Sequence, residues 1–99
     1  MTLDQFQRTL TDSAPPQSLT APLRALWFDG HGDWNQAHSV AQDVEDATGA
    51  WVHAYLHRKE GDEGNAAYWY SRASKPVCRV TLDEEWRQIV SALLVSLSD

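Results

Sequence analysis

"AYLHRKEGDEGNA", residues 54–66, changes character at its middle: a mixed apolar and basic run ends at Glu60, a Gly-Asp pair follows at 61–62, and alanines and aromatics resume from Ala66. Glycine supplies the positive φ that closes a helix, and the aspartate behind it can cap the next. The stretch therefore predicts helix, tight turn, helix. Shifting the chain by 29 residues lays "ALWFDGHGDWNQA" (25–37) on it, so that Ala25 meets Ala54, Gly32 meets Gly61, Asp33 meets Asp62 and Ala37 meets Ala66. Small residues at these places let the two helices of each unit dock closely, while Trp27, Val40, Leu56 and Trp69 fill the remaining gaps.

Glycine and proline cluster at a few points along the chain, and the apolar residues between them recur at helical spacing. The fold class expected is all-α, with about six helices. A first helix is expected over about 2–13, before "APPQS". The first hairpin is expected over about 20–47, starting at Thr20 with Pro22 in its first turn and restarting at Asp33. The second is expected over about 49–75, beginning after Thr48-Gly49, turning at 61–62 and ending at Lys75-Pro76. Thr81 with Glu84 has the capping-box pattern for a last helix over about 81–97, whose stripe runs through Leu82, Trp86, Ile89, Val90, Leu93, Leu94 and Leu97. That stripe must be covered, either by the hairpins or by a second copy of the chain in a homodimer.

"GDWNQA" (32–37) and "GDEGNAAYWYSRA" (61–73) resemble the Gly-Asp…Ala turn of tetratricopeptide and Sel1-like repeats, over residues 22 to about 76. The longer run "WVHAYLHRKEGDEGNAAYWYSRASKP" (51–76) is also similar to a group of uncharacterised bacterial and fungal proteins that share most of it. The repeat resemblance implies stacked helix hairpins and a role in binding. A period of 29, against about 34 for a tetratricopeptide unit, and only two copies favour a closed bundle over an open solenoid.

Ninety-nine residues make one domain with one modest core, and five Trp within a 42% hydrophobic chain give it the anchors to fold. Eight basic against fourteen acidic residues leave a net charge of −6, which disfavours nucleic acid and anionic membranes as partners. Cys78 is the lone cysteine, so no internal disulfide or thiolate cage is available, and a reducing compartment is expected. "MTLDQFQRTL" lacks the apolar core of a leader and no run is long enough to span a membrane, so a cytoplasmic location is expected.

On the helix bearing residues 49–60, His53, His57 and Glu60 fall at i, i+4 and i+7, forming a stripe beside the apolar face of Trp51, Val52, Tyr55 and Leu56. Two imidazoles one turn apart can share a divalent metal, although "HAYLH" lacks the glutamate that follows the first histidine in zinc peptidases. His38, Gln42 and Glu45 form a stripe beside Trp34, and Asn65, Tyr68 and Arg72 one beside Trp69. Stacked hairpins would bring the three stripes to one face. The bland alternative is that Arg72 pairs with Asp43, Glu60 or another acid and that Asn65 merely staples its turn.

"DGHGD" (29–33) alternates acids as a calcium loop does, but Trp34 and Val40 stand where the sixth-place glycine and twelfth-place glutamate are needed. No nucleophile elbow or phosphate-cradling loop is present, and Cys78 reads as a small buried hydrophobe. The expected function is a protein- or small-ligand-binding module, more in keeping with a non-enzyme. Its expected ligand-binding residues are His38, Gln42, His53, His57, Glu60, Asn65, Trp69 and Arg72. The rival reading is a metal-binding protein or small hydrolase-type enzyme using His53, His57, Glu60 and His38.

Overall fold

The computed structural model describes residues 1–98, with side chains described as far as Ser96. It is all-α among those residues, in the order α1 (Leu3–Thr9), α2 (Ala21–Gly30), α3 (Trp34–Gln42), α4 (Ala47–Lys59), α5 (Glu63–Arg72) and α6 (Leu82–Ser98). No helix among them is long and apolar enough to cross a membrane.

The two Gly-Asp turns are closed by the same set of backbone bonds. After α2, the amides of His31, Gly32 and Asp33 donate to the carbonyls of Trp27, Asp29 and Phe28; after α4, those of Glu60, Gly61 and Asp62 donate to Leu56, Arg58 and His57. Gly32 and Gly61 sit at φ +93° and +91°, the left-handed region that the closure demands. Asp33 and Asp62 then cap α3 and α5 by accepting the Gln36 and Asn65 amides. The closure recurs after α5, where Ser74 takes the left-handed place at φ 57° and the Lys75 amide reaches the Tyr70 carbonyl.

Each turn folds its second helix back on its first, giving hairpins α2–α3 and α4–α5 that meet along α3 and α4. Ala37 and Ala66, the matched alanines, are 0% and 3% exposed. A leucine in place of Ala66 has no room beside Ala54 and Tyr70, so Ala66→Leu is expected to cost about 1–3 kcal/mol by overpacking. An unchanged urea midpoint for that variant would show that the α4–α5 crossing is looser than described here.

Helix α4 is central, packing against α2, α3, α5 and α6. The main core gathers Phe6, Leu23, Leu26, Trp27, Val52 and Leu56 with Ile89 and Val90 of α6. The α6 stripe is covered within the chain: Trp86, Ile89, Val90 and Leu94 are buried, Leu82 and Leu93 are half-buried against the core, and the Trp86 indole donates to the Leu26 carbonyl. Leu97, the last member of that stripe, lies outside the described side chains.

Several boundaries differ from the sequence expectation. Helix α1 stops at Thr9 rather than about residue 13, and its start is a reciprocal Thr2–Gln5 capping box that the sequence reading did not single out. Thr20 stands at the N-cap of α2 without a side-chain bond, whereas the Thr81 hydroxyl accepts the Glu84 amide. Helix α3 ends at Gln42, five residues before the expected Ala47, because Asp46 caps α4 through the Gly49 amide. Thr48-Gly49 is thus the first turn of α4 and not the break before it. Gly49 is required there by contact, since a Cβ would lie 2.1 Å from the Val44 carbonyl oxygen.

Candidate functional site

Five aromatic side chains from α3, α4 and α5 build the walls of the site. His53 and His57, one turn apart on α4, stack at 4.7 Å between ring centroids, and Trp69 of α5 continues the column by stacking on His53 at 4.0 Å. His38 of α3 meets both histidines edge-on, at 4.7 Å from His53 and 5.2 Å from His57. Trp34, four residues before His38 and therefore on the same face of α3, stacks on it at 5.0 Å. The Trp34 indole N–H donates to the Leu56 carbonyl, which pins α3 to α4 beside the column.

Polar contacts fix the rings within this aromatic box. The Nε2 atoms of His38 and His53 are 3.0 Å apart, so one ring donates and the other, which must be uncharged, accepts. His57 Nδ1 is 2.5 Å from Glu60 Oε1; an ionised carboxylate can only accept, so Nδ1 carries a proton and Nε2 faces away from Glu60. His53 and His57 are each only 7% exposed. Trp69 on one side and the His38–Trp34 pair on the other shut them in.

Burial and the neighbouring His57 and His38 lower the His53 pKa to about 4, and burial followed by His57 lowers that of His38. A folded-state pKa below the unfolded value of about 6.5 means that the unfolded chain takes up the proton first. Stability is therefore complete above about pH 6.5 and is lost as pH falls towards 4. His53 alone is expected to remove about 1–2 kcal/mol between pH 7 and pH 5, readable from urea melts at the two values. A His53→Gln variant with an equally steep decline over that window would assign the effect to other groups.

Beside the box runs a groove of about 400 Å³ between α5 and the link from α3 to α4, lined by Gln42, Glu45, Asp46, His53, Trp69 and Arg72 among others. His53 and Trp69 belong to both parts. Arg72 is exposed: its Nη1 donates to the Tyr68 hydroxyl and its guanidinium carbon lies 5.4 Å from the Trp69 ring centroid. Among the described residues no carboxylate lies within ion-pair distance of it. The bland pairing of Arg72 with Asp43 or Glu60 is therefore not seen.

Of the expected site residues, the fold brings together His38, His53, His57 and Glu60 in the box and Gln42, Trp69 and Arg72 along the groove, with His53 joining the two. Asn65 is not among them. Its amide and side-chain nitrogens face Asp62 at the exposed turn, where it staples the α5 start. Glu45 lines the groove from the link after α3, because that helix has already ended.

Two buried clasps were not singled out from the sequence. Asp29 of α2 accepts from the Tyr55 hydroxyl and from Lys59, both at 2.9 Å. Glu85 of α6 accepts from Arg58 at 2.8 Å and from the Tyr70 hydroxyl at 2.5 Å, while Arg58 also donates to the Val80 carbonyl. Burial, followed by Asp29 or Glu85, raises both tyrosine pKa values well above the usual phenol range. These clasps hold α4 against α2 and α6. Asp29 and Asp33 of the "DGHGD" loop are thus spent on a clasp and a cap, and Cys78 is half-buried with its thiol pKa raised chiefly by burial. No family model, curated protein or solved structure matches the chain.

Proposed function

We propose that the domain is a binding module whose groove takes a small ligand or peptide segment bearing a carboxylate. The reading rests chiefly on Arg72. In a chain of net charge −6, this guanidinium has no carboxylate partner among the described residues, although Glu45 and Asp46 line the same groove. A guanidinium laid beside an indole offers a carboxylate its paired N–H donors and leaves the ring face for an apolar or planar group. The groove volume of about 400 Å³ lies within the usual range for small-molecule sites. The residues of the two Gly-Asp turns also resemble those of tetratricopeptide and Sel1-like repeats, a resemblance in keeping with a binding role.

Benzoate, benzyl alcohol and benzylamine make a suitable test series by isothermal titration. Benzoate is expected to bind saturably and the neutral and cationic analogues much more weakly. Arg72→Gln, an exposed change, is expected to weaken benzoate by about 10–100-fold, as the loss of a charge-assisted hydrogen bond implies. Equal affinity for benzoate and benzyl alcohol, or an unaffected Arg72→Gln variant, would remove the basis of the reading.

A further inference from the structure

We propose that His38, His53 and His57 form a binding site for a divalent transition metal of the zinc type. This inference goes beyond the groove reading and does not depend on it, because it rests on a different set of atoms.

The three residues each offer a ring nitrogen, and these nitrogens all lie within 4.8 Å of one another. A tetrahedral zinc with Zn–N bonds of 2.0–2.1 Å separates its nitrogen ligands by about 3.3 Å. The His38–His53 pair, at 3.0 Å between Nε2 atoms, is already close to one edge of that tetrahedron. The remaining separations close by a small rotation of an imidazole, a soft motion compared with moving a helix. On binding, the proton shared between the two Nε2 atoms shifts to an Nδ1, and both lone pairs turn to the ion.

His57 adds the feature that separates a ligand set from a chance cluster of rings. Its Nδ1–H is held by Glu60, so in the neutral ring the lone pair available to a metal is the one on Nε2. A carboxylate holding the far nitrogen of a metal-bound histidine fixes the tautomer and makes the imidazole a stronger donor. Trp34 and Trp69 stack on His38 and His53, limiting ring flips and water access. Three neutral nitrogen ligands suit zinc and its neighbours more than calcium or magnesium, which take oxygen. They also leave a tetrahedral ion one further position.

A second grouping, His57 with Glu60 and Asp62, also satisfies the distance condition. It is the weaker candidate. Both acids are exposed, and the Asp62 oxygens accept from the Asn65 amide and side chain as the cap of α5.

Tag-free, chelator-treated protein titrated with Co²⁺ tests the site directly. One equivalent is expected to bind saturably, with the intense visible bands of a tetrahedral ion, and Zn²⁺ is expected to displace it. His38→Gln and His57→Gln are expected to abolish the bands. Glu60→Gln leaves all three ligands in place and is expected to weaken binding by about 10–100-fold. Should His57→Gln fail to fold by circular dichroism, His38→Gln decides, because its ring is only half-buried. Absence of saturation, or bands that survive in His38→Gln, would overturn the proposal.

Discussion

Gly49→Ala is expected to destabilise the fold by about 3 kcal/mol or more, in the direction opposite to the usual effect of the change. Inside a helix, glycine to alanine ordinarily gains up to about 1 kcal/mol because alanine restricts the unfolded backbone. Here the added Cβ would stand 2.1 Å from the Val44 carbonyl oxygen and 2.7 Å from the Val44 Cβ. A backbone carbonyl cannot swing aside as a side chain can. The link between α3 and α4 must therefore move, and the Asp46–Gly49 cap moves with it. Because that link sets where α3 lies on α4, His38 should be drawn away from His53 in the same variant. Urea denaturation reads the first effect, and loss of the Co²⁺ bands the second. A stability equal to or above that of the parent would mean that the close approach of Val44 to Gly49 is wrong.

Glu85→Ala is expected to cost about 3–5 kcal/mol, since it removes one member of a buried, hydrogen-bonded charge pair, leaving the Tyr70 hydroxyl without its acceptor and Arg58 with only the Val80 carbonyl. Glu85 is 1% exposed, and its two oxygens satisfy Arg58 of α4 and Tyr70 of α5. Tyr70 lies between Trp69 and Arg72 in sequence, so the clasp fixes the rotation of α5 that presents those two side chains to the groove. Tyr70→Phe removes only the hydroxyl and should cost less. Combined with Glu85→Ala, it should add little further loss, because both changes break the same bond. Independent, additive losses in a double-mutant cycle would show that Tyr70 and Glu85 do not act as one clasp.

The parts of this structure that a sequence can carry are those set by local geometry. Gly32, Gly61, Asp33 and Asp62 announce their turns because positive φ and helix capping are properties of single residues and their immediate neighbours. His53, His57 and Glu60 share a stripe because helical periodicity puts them there. The end of α3 at Gln42 was harder to see. It depends on Asp46 capping α4 through the Gly49 amide and on Val44 lying against Gly49, and the apolar spacing announces neither. The buried clasps were hidden for a similar reason, since Asp29 and Glu85 look like any other acid until the fold brings Tyr55, Lys59, Arg58 and Tyr70 to them. For Arg72, composition pointed the wrong way: in an acidic chain an ion pair was the natural expectation, yet the guanidinium lies by Tyr68 and Trp69 instead. Asn65 fell at the right helical spacing for the groove, but the adjacent Asp62 engages it at the turn.

The metal proposal rests on α3, α4 and α5 carrying His38, His53, His57 and Trp69 into one closed aromatic box, which also places the His53 and Trp69 that line the groove. Imidazole nitrogen and proton spectra of uniformly labelled protein, recorded from pH 7 to pH 5, test it most directly. The structure predicts cross-peaks between the ring protons of His38 and His53 and between those of His53 and Trp69. It also predicts an Nδ1–H tautomer for His57 and a His53 ring that is still neutral at pH 5. A His53 ring that gains its proton near the ordinary value of about 6.5, with no cross-peaks to His38 or Trp69, would contradict it.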